Sequence, residues 1–127
     1  MTWDFTPDRP IYLQLQEQMK LNIVSGRYLA GDKLASVRDL SIEAAVNPNT
    51  MQRALAELER DGLVFAHRTS GRFVTEDVEV IAKMKSELAA EIVNSFFGKM
   101  EEIGYSRLEA AEIITNVKEA ESANGDS

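Results

Sequence analysis

The stretch from residue 36 to residue 74 leaves the fold little freedom. Ser36-Val37-Arg38-Asp39-Leu40 begins with a hydroxyl that can accept a backbone N–H, the chemistry of a helix N-cap. Asn47-Pro48-Asn49-Thr50-Met51-Gln52-Arg53 begins with a second cap, followed by a proline whose missing N–H costs nothing in a first turn. Ser36 therefore predicts a short helix running to about residue 44, and Asn47 predicts the next, with Met51, Leu55 and Leu58 facing inward and Asp61-Gly62 ending it. Leu63-Val64-Phe65 and Phe73-Val74 read as two short strands, with residues 66–72 forming the tip of a basic hairpin between them.

The flanking segments extend this plan. Pro10 suits the first turn of an opening helix, with Asp8 as its cap, and Ile11, Leu15, Met19 and Ile23 make one apolar stripe that Gly26 closes. Trp3 and Phe5 are expected to tuck an extended arm onto the core, and residues 30–33 read as a turn. After the hairpin, Ile81, Met84, Leu88, Ile92, Phe96, Met100 and Ile103 keep three- and four-residue spacings, predicting a long helix that Gly104 stops. Ser106-Arg107-Leu108-Glu109 is a capping box that opens a last helix, with Leu108, Ala111, Ile114 and Val117 on one side. The expected fold is mainly α with a small β-hairpin wing: a winged helix-turn-helix over 1–76, a two-helix unit over 77–121 and a frayed tail over 122–127. Two such helices cannot bury their own apolar faces. They must pack on the first domain or on a copy of themselves, and the second choice gives a symmetric dimer.

Composition removes several classes of function. With no cysteine, disulfides, thiolate metal sites and cysteine nucleophiles are excluded. His67 is the single histidine, no carboxylates cluster in a plausible cleft, and no metal or cofactor motif appears, so an enzyme is not expected. The chain lacks a signal-like N-terminus and any apolar run near membrane-spanning length, which points to a soluble cytoplasmic protein without membrane contact. The net charge of −7 is uneven: residues 78–127 carry five basic and ten acidic side chains, whereas Arg27 to Arg72 holds seven against six. Binding of a polyanion through bulk charge is not expected, and any nucleic-acid contact must rest on a few placed arginines.

Residues 10–74 resemble the GntR family of bacterial transcription regulators. Pro10-Ile11-Tyr12-Leu13-Gln14-Leu15 is similar to the family's opening helix, Gly31-Asp32-Lys33-Leu34-Ala35-Ser36-Val37-Arg38-Asp39-Leu40 to its linker and second helix, and Val46-Asn47-Pro48-Asn49-Thr50 with Arg53-Ala54 to the start of its recognition helix. The short two-helix tail resembles the YtrA-like subfamily, whose tails dimerise and which commonly represses transporter operons. Ala30 and Ala35 stand where the family usually has prolines, and Thr69 where a wing glycine is frequent.

The resemblance implies a sequence-specific, homodimeric repressor that binds a palindromic double-stranded operator. Its contacts would be Ser36 and Arg38 at the second helix, Asn49, Thr50, Gln52 and Arg53 on the recognition helix, and Arg68, Thr69, Gly71 and Arg72 at the wing. The chemistry of these residues suits DNA. Amides bond adenine edges, guanidinium groups fork guanine or phosphate, and a hairpin tip with arginines and small residues fits insertion near the minor groove. Asn47 is read as a cap only, and Arg53 has Glu57 as a competing partner at the four-residue spacing. The expected dimer interface is Ile81, Met84, Leu88, Ile92, Phe96, Met100, Leu108 and Ile114. The competing reading is a protein-interaction module that recruits a partner through the acidic tail. No effector ligand is legible.

Overall fold

The computed structural model describes residues 3–68 and 70–125, with side chains to residue 122 apart from Thr69. Its elements are α1 (Ile11–Val24), α2 (Val37–Ala44), α3 (Pro48–Arg60), β1 (Val64–His67), β2 (Gly71–Val74), α4 (Val78–Glu102) and α5 (Arg107–Gly125). Thr69, expected as a wing contact, lies outside the described residues. Contacts divide the chain into two units, residues 1–85 and 86–127.

In the first unit, α1, α2 and α3 close over one core of Leu15, Met19, Ile23, Leu34, Leu40, Ala44, Met51, Ala54, Leu55, Leu58, Leu63, Val64 and Val74. Both expected caps are made. The Ser36 hydroxyl accepts from the Asp39 N–H at 3.1 Å, and Asn47 Oδ1 accepts from the Asn49 N–H at 2.8 Å. The α1 cap differs from expectation: Pro10 itself occupies the N-cap position, and Asp8 instead accepts from the Thr6 hydroxyl, which holds its carboxyl below the ordinary range. The buried Gln14 explains this. Its amide donates to the carbonyls of Thr6 and Arg9 and accepts from the Thr6 N–H, all at 2.8 Å, so one side chain ties down the arm. Trp3 and Phe5 stack and pack partly buried on the core, as their residue type suggests.

The wing is longer than the sequence suggests. Val64 pairs with Val74, Phe65 with Phe73, Ala66 with Arg72 and His67 with Gly71, so residues read as tip belong to the antiparallel ladder. Phe65, His67 and Phe73 meet on one face of the hairpin and reward the extended pairing. A third chain segment joins at the β2 edge through a bridge between Lys33 and Phe73, where Leu34 N–H donates to Arg72 O at 2.9 Å and Val74 N–H to Asp32 O at 2.8 Å. Asp32 also accepts from the Leu29 N–H at 2.7 Å, which fixes the turn that lacks the family's prolines. Gly31 suits that turn because its φ is +82°, a left-handed conformation that side-chain-bearing residues rarely adopt.

The first turns of α4 belong to this unit as well. Val80, Ile81 and Met84, the last two expected at a dimer interface, pack partly buried on its core, and the first unit runs to Lys85, past the expected boundary at 76/77. In the second unit the capping box forms reciprocally. Ser106 N–H donates to Glu109 Oε1 at 3.0 Å and Glu109 N–H donates to Ser106 Oγ at 3.1 Å; the Ser106 N–H, and after it the Ser106 hydroxyl, keep the Glu109 carboxyl below its ordinary range. Arg107 lies over Phe97 and reaches Asn94 Oδ1 at 3.3 Å. Helix α5 continues to Gly125, past Ser122 where fraying is expected.

Candidate nucleic-acid interface

Helices α2 and α3 share the core through Leu40, Ala44, Met51, Leu55 and Leu58, so the remaining faces of both look outward. Arg38 stands exposed near the start of α2, and Asn49, Gln52 and Arg53 stand exposed in the first turns of α3, with Thr50 half-buried beside them. These positions carry two amides, one hydroxyl and two guanidinium groups, the donor and acceptor set that distinguishes base edges in a major groove. Asn47 caps α3 as expected, while Ser36 spends an acceptor lone pair on Asp39 and retains its hydroxyl proton for donation.

The wing meets the start of α2 across an open cleft of about 730 Å³ lined by Lys33, Leu34, Ala35, Ser36, Val37, Asp39, Ser70, Gly71 and Arg72. The fold thus brings Ser36, Gly71 and Arg72 to one cleft. Lys33 joins them; its sequence context is that of a turn, and only its bridge to Phe73 reveals the position.

The cations differ in how free they are. Arg38 and Arg68 are exposed and enter no ion pair among the described residues. Arg72 is engaged: its Nε lies 2.5 Å from Glu59 Oε1, which joins the wing to the C-terminal half of α3. Glu57, the expected competitor for Arg53, pairs with Arg60 at 2.9 Å, and Arg53 lies over the Tyr12 ring of α1 at 3.5 Å from its centroid. Neither Glu59 nor Tyr12 stands out in the sequence, because each acts on a residue far along the chain. Behind this face, burial and, to a lesser degree, the Glu43 carboxylate push the Tyr28 hydroxyl up from its ordinary range, and Trp3 Nε1 donates to Glu43 of α2 at 3.2 Å.

Among the described residues no helix is long and apolar enough to cross a membrane. The model of the bacterial regulatory proteins of the gntR family matches residues 11–74. The uncharacterized HTH-type transcriptional regulator YhcF of Bacillus subtilis is 39% identical over 115 residues, which cover 91% of this chain and 95% of that protein. The HTH-type transcriptional repressor YtrA of the same organism is 34% identical over 98 residues, covering 72% and 75%. Among solved structures, a GntR family transcriptional regulator from Listeria monocytogenes superposes with a TM-score of 0.80 at 37% identity, over 91% of this chain and 98% of that one. All three are transcriptional regulators by name. The chain belongs to the GntR family of bacterial transcription regulators.

Proposed function

We propose that the protein is a homodimeric repressor that binds a two-fold symmetric operator, with α3 in the major groove and the wing at the flanking backbone and minor groove. The observation that carries this reading is the outward face built by Arg38, Asn49, Gln52 and Arg53 on two helices locked to a common core. Arg38 would fork a base edge or phosphate, Asn49 and Gln52 would read bases, and Thr50 and Ser36 would donate to phosphate. Arg68, Gly71 and Thr69 would form the approach of the wing, with Arg72 bracing it on Glu59. The repressor assignment leans on the likeness to YtrA, and a transporter operon as target leans on the subfamily resemblance.

Dimerisation is supported by apolar side chains left open in the second unit. Ile92 and Leu108 are 71% and 72% exposed, Ile114 is close to half exposed, and Val93, Ile103 and Val117 extend the set. Leu88, Phe96 and Met100, also expected at this interface, are half-buried. Their chemistry suits a second copy of the same helices, and a two-fold pair would set its recognition helices about one DNA turn apart, roughly 10 bp between half-site centres. Selection from random duplex DNA is expected to return inverted repeats at that spacing; single asymmetric sites would sink the two-fold reading. On a selected duplex, Arg38→Ala is expected to cost about 1–3 kcal/mol by fluorescence anisotropy. Binding equal to wild type would remove Arg38 from the interface.

A further inference from the structure

The placement of the Arg53 guanidinium is more specific than a surface cation requires. Its central carbon lies 3.5 Å from the Tyr12 ring centroid, the contact distance of two stacked planes. Turning a guanidinium nitrogen straight at the ring would bring it about 1.3 Å closer, well inside contact, so the cation packs nearer to face to face than to edge on. A stack of this kind uses the π face of the guanidinium and leaves its N–H donors directed outward in the plane, free to fork a phosphate or a guanine edge.

The platform is firm and the competitor is removed. Tyr12 is half-buried in the first turn of α1, and that helix is bound to α3 through the core positions Leu15, Met19, Leu55 and Leu58. Two residues further along, Gln14 is buried and saturated by the arm, which pins the same turn from the other side. Glu57, which would otherwise draw Arg53 along α3, is taken by Arg60. A free arginine must surrender rotamer entropy when it docks on DNA, and a stacked one has already surrendered much of it.

We propose that Tyr12 is a positioning residue for operator recognition, holding Arg53 stacked so that its donors face the DNA before the DNA arrives. The inference rests on the reading of α3 as the element in the major groove. It assigns the effect to the aromatic face and none of it to the tyrosine hydroxyl, which sets the conservative variant apart from the disruptive one.

The test uses a labelled duplex carrying the site that the wild-type protein selects from random DNA, with affinity followed by anisotropy over a salt series and folding followed by thermal melting. Arg53→Ala is expected to weaken binding about tenfold and, if the partner is a phosphate, to lower the salt slope by about one. Tyr12→Leu is expected to weaken binding about two- to fivefold, the worth of an exposed cation–π contact, while Tyr12→Phe stays near wild type. The Tyr12→Leu and Arg53→Ala double variant should bind no more weakly than Arg53→Ala alone. Arg53→Lys keeps the charge but not the planar face, and should fall with Tyr12→Leu even if the latter melts early. Additive losses in the double variant, Tyr12→Phe as weak as Tyr12→Leu, or Arg53→Lys equal to wild type would each overturn the inference alone. Wild-type affinity in Arg53→Ala, or no selected site at all, would instead bring down the reading of α3 together with it.

Discussion

Two arginines flank the wing tip, and they are not equivalent. Arg68 is exposed and unpaired among the described residues, whereas Arg72 is half-buried against Glu59 and ties β2 to α3. A free cation near DNA releases counterions on binding; a cation already neutralised by a carboxylate contributes orientation instead. Arg68→Ala should therefore lower the slope of log affinity against log salt by about one while leaving urea unfolding unchanged. Arg72→Ala should keep the slope and lower folding stability by about 1 kcal/mol, the upper range for a partly solvated pair. A reversed pattern in the two titrations would assign the roles the other way round. Position along the chain offers no clue to this division, since both residues sit in the same run of basic and small side chains.

At the scale of elements, the turn between α2 and α3 is the joint on which the outward face depends. Ala45 occupies it with φ +56° and ψ +47°, a left-handed conformation that crowds an alanine Cβ. Ala45→Gly should relieve that crowding and raise stability by about 0.5 kcal/mol or more, net of the entropy that glycine adds to the unfolded chain. Unchanged or earlier urea unfolding would show that the turn is not under strain. The neighbouring helices were legible because their caps are local: Ser36 meets Asp39 and Asn47 meets Asn49 within three residues. The wing was legible in kind but not in extent, because Gly71-Arg72 carries turn chemistry while the ladder is decided by Phe65 and Phe73 across the strands. The edge bridge at Lys33, the Glu59 brace and the Tyr12 platform were hidden for one shared reason. Each joins residues that only the packed fold brings together.

For the molecule as a whole, the residues expected to join two copies differ in how open they are. Ile81 and Met84 pack partly buried on the core of the first unit, while Ile92, Val93, Ile103, Leu108, Ile114 and Val117 of the second unit stay exposed. Replacing Leu108 and Ile114 together with aspartate should yield a folded monomer by sedimentation, with operator affinity lost and helix content kept. A dimer that survives both charges would place the interface elsewhere. The first unit carries a different kind of asset. Its single tryptophan, Trp3, stacks on Phe5 and hands its indole proton to Glu43, on the same short helix that bears Arg38. That bond couples a native fluorophore to α2, so the protein's own ultraviolet emission is expected to follow a change at Glu43, with no dye and no engineered probe.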